Sequence, residues 1–116
     1  MAISITGQLG ALDNAGDGTL RDIYTVPGSR AADVNINIAN RANTDTNIRI
    51  AHIKNGVATG VANEDYLLFN LPTGSLASNF APIALSGVMM SAGDTIAVYS
   101  SASAVSVQIN GIEEDA

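Results

Sequence analysis

Along much of the chain apolar and polar residues alternate one by one. Val34, Ile36 and Ile38 alternate with Asn35, Asn37 and Ala39, and Val105, Val107 and Ile109 with Ser106, Gln108 and Asn110. A period of two puts successive side chains on opposite faces of an extended strand, whereas a helix would spread them around its circumference. Ile96 and Val98 repeat the pattern against Thr95, Ala97 and Tyr99, and Ile48 and Ile50 repeat it against Arg49 and Ala51. The phase breaks after Ala51, because Ile53 falls on the Arg49 side. A bulge, or a strand covered on both faces, accounts for such a break.

Weaker strand patterns fill the gaps. Ile3 and Ile5 mark one near the N-terminus, residues 20–26 another, and residues 66–71 a third that stops at Pro72. Residues 80–90 have room for a strand on each side of Ser86-Gly87. Turn chemistry separates these runs. Pro27-Gly28-Ser29 suits a tight turn, with proline fixing φ and glycine permitting φ > 0. Asn55-Gly56 and Ala92-Gly93-Asp94 are further turn signals, and the polar residues 40–47 read as a hairpin-like connection. Residues 58–66 have room for a turn of helix, weakened by Gly60 and Asn63. The prediction is an all-β chain of about eight to nine short strands, spaced about ten residues apart, in a single antiparallel β-sandwich of jelly-roll or Ig-like type.

At 116 residues the chain is one domain, residues 1–116. Residues 1–9 read as an extended N-terminal arm or as an ordinary first strand. The acidic end, Glu113-Glu114-Asp115, is expected to fray over 113–116. Hydrophobic residues make up 47% and charged residues 14%, against a usual charged share of roughly 25%, which excludes disorder for most of the chain. There is no cysteine, so disulfide scaffolds, zinc fingers and thiol enzymes are excluded. The net charge of −6 argues against nucleic acid and anionic membranes as partners. No window approaches the roughly 18 apolar residues of a membrane helix. Residues 1–8 lack the basic and apolar regions of a secretory signal, so synthesis in a cytoplasm is expected.

Little in the sequence suits catalysis. Asp13-Asn14-Ala15-Gly16-Asp17-Gly18 resembles part of a calcium loop but lacks the later glutamate, and reads better as a turn. His52, between Arg49 and Lys54, is either a pH switch or a partly buried histidine satisfied by a neighbouring backbone group. Glu64 and Asp65 are adjacent, so on a strand they would face opposite ways. No G-x-S-x-G elbow and no phosphate-cradling glycine loop occurs. Tyr24, Tyr66, Tyr99, Phe69 and Phe80 mostly sit inside apolar patterns and read as core, which leaves little for a sugar-binding platform. We expect no enzyme activity, no cofactor and no metal site. What remains is surface: exposed strand positions carry Asn, Ser, Thr, Ala and Gln. Such a face suits burial against another subunit, since few ions must be desolvated; the alternative is an ordinary solvated sheet.

Several segments in order carry a resemblance. They are Ile23-Tyr24-Thr25-Val26-Pro27, Asn35-Ile36-Asn37-Ile38-Ala39-Asn40-Arg41, Ile48-Arg49-Ile50-Ala51, Glu64-Asp65-Tyr66-Leu67 and Leu85-Ser86-Gly87-Val88. The most specific is Ser91-Ala92-Gly93-Asp94-Thr95-Ile96-Ala97-Val98-Tyr99, followed by residues 105–113. This order resembles the small β-sandwich virion proteins of tailed bacteriophages, especially those of marine and cyanobacterial hosts, over residues 20–114. One departure is Pro27-Gly28-Ser29-Arg30, where relatives often have Pro-Ala-Gly. The resemblance implies a structural component with no catalytic residues. Its leading form is a capsid decoration (cement) protein on the outer capsid surface of the virion, made in the host cytoplasm. Its partners would be the major capsid protein and itself, as a homotrimer, with no nucleic acid and no membrane. The shortness of the chain favours this over the alternative, a tail, baseplate or fibre module in tail structure or host adsorption. A carbohydrate-binding module and a non-viral sandwich are further readings. Ile3 and Ile5 are the candidate interaction residues, as an arm adding a strand to a neighbouring subunit.

Overall fold

The computed structural model describes residues 4–12, 19–41, 46–73, 83–101 and 105–115. Eight strands run in order β1 (Ser4–Leu12), β2 (Leu20–Thr25), β3 (Arg30–Asn40), β4 (Thr46–Ile53), β5 (Tyr66–Thr73), β6 (Ile83–Met90), β7 (Thr95–Ser100) and β8 (Val105–Asp115). They form two four-stranded antiparallel sheets. Sheet A has the order β1-β8-β3-β6 and sheet B the order β2-β7-β4-β5. The pairs β1–β8, β2–β7, β3–β6 and β4–β5 are nested, like one long hairpin rolled into two layers. Of the two predicted sandwich types this is the jelly roll.

The alternation seen in the sequence becomes the inside and outside of this sandwich. Val34, Ile36 and Ile38 from β3 and Val105, Val107 and Ile109 from β8 meet Ile48, Ile50, Ile96 and Val98 from sheet B, all fully buried. At roughly 1.5–3 kcal/mol per buried aliphatic side chain, this layer is the main stabilising force. Gly111 sets the spacing of β3 and β8. A Cβ there would lie 2.1 Å from the Asp33 carbonyl oxygen and 2.9 Å from Val34 Cα, so only glycine fits.

The phase break at Ile53 has a clear cause. Ala51, Ile53 and Ala97 form a second apolar cluster, on the side of sheet B away from the main core, capped by Leu20, Ala58, Val61 and Tyr66. The strand is therefore covered on both faces, and the β4–β5 register also slips between Ile48 and Ala51. The cover is the β4–β5 connection, which contains two 3₁₀ turns, Ala58–Gly60 and Asn63–Asp65. Asp22 on β2 fastens it by accepting the Ala58 N–H at 2.8 Å.

Five expectations about the strands need correction. β5 does not stop at Pro72 but runs on to Thr73, at a sheet edge where proline is tolerated. Residues 40–47 do not close a hairpin, because β3 and β4 lie in different sheets. Ser86-Gly87 does not divide two strands; β6 runs through it with a register shift opposite residues 34–36 and Gly87 at φ +75°. In the turn after β2 the positive φ falls on Ser29 (66°) rather than Gly28. The acidic end does not fray at Glu113, since β8 continues to Asp115 and Glu113 is 6% exposed. Its carboxylate has partners inside the sandwich. The calcium-like residues 13–18 lie outside the described residues.

Candidate interaction surfaces

Two polar clusters hold the sandwich together. Tyr24 on β2 donates its hydroxyl hydrogen to Glu113 Oε2 on β8, at 2.5 Å. Arg30 Nη1, itself buried, stands 3.8 Å from Glu113 Oε1. The bond links sheet B to sheet A and satisfies a buried carboxylate, which would otherwise be costly. Burial first, then the hydrogen bond and the negative charge of Glu113, push the Tyr24 phenol well above its usual 10.0, against a smaller opposing effect of Arg30.

The second cluster ties three turns at one end of the sandwich. Asp94 is 4% exposed. Its Oδ1 accepts the Asn55 N–H at 3.0 Å, and its Oδ2 accepts the Ser91 N–H at 3.0 Å and lies 2.9 Å from His52 Nε2. Backbone bonds Val26 N–H to Asp94 O (2.9 Å) and Gly93 N–H to Val26 O (3.0 Å) bring in the turn after β2. Gly93 has φ +84°, and a Cβ there would meet Asn55 Oδ1 at 2.5 Å. Burial alone would raise the Asp94 carboxyl, but the bonds from His52, Ser91 and Asn55 outweigh it and hold the group below its usual 3.8. His52 is thus satisfied by a side chain of a neighbouring turn, a carboxylate 42 positions away that sequence spacing could not pair with it. With its acceptors occupied in fixing loops, Asp94 serves architecture. No group of three or more potential metal-ligating side chains occurs among the described residues.

The outer surfaces are of two kinds. On sheet A the registered pairs Asn35–Asn110, Asn37–Gln108 and Ala39–Ser106 form an uncharged ladder across β3 and β8. A depression of about 330 Å³ lies at its end, beside Asn37, Ala39, Ser106 and Gln108. Further along the same face Asp33 sits between Met89 on β6 and Ile112 on β8. Met89 is 72% and Ile112 41% exposed. On sheet B, Arg49 of β4 is stacked on the rings of Phe69 (4.2 Å) and Tyr99 (4.5 Å), and its Nε donates to Asn70 Oδ1 at 2.6 Å. Tyr66 meets Phe69 edge to face, with centroids 5.0 Å apart. Phe69 is 56% exposed, so the expectation that the aromatics are core fails for it. The cause is the edge position of β5, which carries apolar residues on both sides of the strand.

Of the predicted interaction residues, Ile3 lies outside the described residues. Ile5 lies on β1, in register with Glu113 of β8. The segment from Ser4 onward is thus paired within its own sandwich along one side, while β1 and β6 are the open edges of sheet A. The Arg49 stack and the Met89–Ile112 patch escaped sequence reasoning, because both are assembled from strands distant in the chain. No family model matches the chain, and no curated protein matches it. No helix among the described residues is long and apolar enough to cross a membrane.

Proposed function

We propose that this chain is a bacteriophage capsid decoration protein that binds the outer surface of the major capsid shell and stabilises it against internal DNA pressure. The observation that carries the proposal is the uncharged amide ladder of sheet A. Asn35, Asn37, Gln108 and Asn110 offer uncharged donors and acceptors across a strand pair, with Arg41 bonded to Ser106 at one end and Asp33 beyond Asn35 at the other. A lysine- or glutamate-covered face would resist burial; this one favours it. The mechanism needs no chemistry. Protein area buried across capsomer boundaries raises the work of separating them. The net charge of −6 disfavours capture of DNA. Self-association, as a trimer at local threefold positions, belongs to the same reading and is compatible with two outer faces of different character.

The test is co-sedimentation of the purified protein with shells of the major capsid protein of the phage that encodes it. Wild type is expected to pellet with the shells. Asn37→Lys and Gln108→Lys each place an unpaired charge in the buried patch and are expected to weaken binding at least about tenfold. Absence of co-sedimentation, or lysine variants that bind like wild type, overturns the proposal.

A further inference from the structure

The exposed large apolar residues of β5, β6 and β8 divide into two patches of opposite charge. One is a projection on sheet B: the exposed Phe69 at the edge, with Arg49 held on its ring. Among the described residues, Arg49 is held by Phe69, Tyr99 and Asn70, all uncharged, so the patch carries a positive charge. The other patch is a depression of about 250 Å³ on sheet A. Its apolar walls include Met89 and Ile112, and Asp33 and Glu114 add two exposed carboxylates.

We infer that these two patches bind each other between copies of this chain, the Phe69–Arg49 projection of one copy entering the Met89–Ile112 depression of the next. Apolar character and charge both favour this occupant. The ring replaces water between two exposed apolar side chains, and the guanidinium meets carboxylates instead of solvent. Arginine and aromatic side chains are the residues in which interface energy concentrates. Charge complementarity orients the pair and excludes the two like-with-like contacts, projection on projection and depression on depression. Because the two patches lie on different sheets, the contact is head-to-tail. Copies linked this way form a ring if the rotation closes and a filament if it does not. Closure after three copies would give the trimer of the proposed function. The inference rests on the self-association part of that reading and is independent of capsid binding, which uses the amide end of sheet A.

The test is sedimentation equilibrium of the isolated chain and of two variants at exposed positions, Phe69→Asp and Met89→Lys, with Asp33→Lys as a second depression variant. Circular dichroism melts check that each is folded. Wild type is expected to show concentration-dependent masses above the monomer, and each variant alone the monomer mass. An equimolar mixture of Phe69→Asp and Met89→Lys retains one intact projection and one intact depression, and is expected to give twice the chain mass and no more. A wild type that stays monomeric at high concentration overturns the inference. So does a mixture that stays monomeric, or Met89→Lys and Asp33→Lys variants that assemble like wild type. None of these results bears on shell co-sedimentation, so failure of the contact and failure of the capsid reading are told apart.

Discussion

Replacing Asp94 by alanine removes the carboxylate that joins the Asn55 turn to the Ser91 turn, while the backbone bonds to Val26 remain. The Asn55 and Ser91 amides each donate to its carboxylate at 3.0 Å. A hydrogen bond to a charged group contributes about 1.5–3 kcal/mol, so two of them amount to about 3–6 kcal/mol, before any loss at His52. That is a large part of the roughly 5–15 kcal/mol by which a domain is stable. Urea unfolding of wild type and Asp94→Ala at pH 7 measures the difference directly. The pH dependence gives a second reading. Because the folded carboxyl is held below its usual 3.8, the contribution is fully present above the unfolded pKa and is lost as pH falls through the folded one. The stability gap between wild type and Asp94→Ala is therefore expected to hold from pH 7 to about pH 5 and to shrink below about pH 4. A variant within about 1 kcal/mol of wild type at pH 7 would refute the view that these bonds hold the loop end together.

Other substitutions probe the rest of the frame. Gly111→Ala drives a methyl group into the backbone of Asp33 and Val34, and a loss of about 3 kcal/mol, the upper end of ordinary overpacking, is expected in the same urea assay. Ile36→Ala empties a fully buried site between the sheets and should cost about 2–5 kcal/mol, read as a lower urea midpoint with unchanged slope. Tyr24 has its phenol raised above 10.0, so its stabilising effect is complete below the unfolded pKa and disappears as pH climbs through the folded one. Stability followed by urea unfolding as pH climbs above 10 should fall less for Tyr24→Phe than for wild type; an identical pH dependence would contradict the assignment.

How far the sequence revealed this molecule follows from which forces are local. Val34, Ile36, Ile38 and Val105, Val107, Ile109 stood out because each strand has one buried and one exposed face. The sheet assignment was not legible, since a nested roll pairs Ile36 with Ile109 and Tyr24 with Ile96, across long stretches of chain. β1 reaches Leu12 although the sequence marked only Ile3 and Ile5; Gly7 and Gly10 carry no side chain to continue the alternation, and the register shifts between Gln8 and Gly10. Glu113 looked like tail because its neighbours Glu114 and Asp115 are solvated, and nothing local announces Tyr24 as its partner. The neutral face was legible as composition, but the projection on sheet B and the depression on sheet A emerge only when β4, β5 and β7, and β3, β6 and β8, are brought side by side.

Immunogold labelling of this chain on intact virions of the phage that encodes it, with gold counted by position, tests the decoration function most directly. Label over the whole head, in many copies per particle, is expected. Label confined to the tail or to one vertex, or no label on the particle, would contradict it.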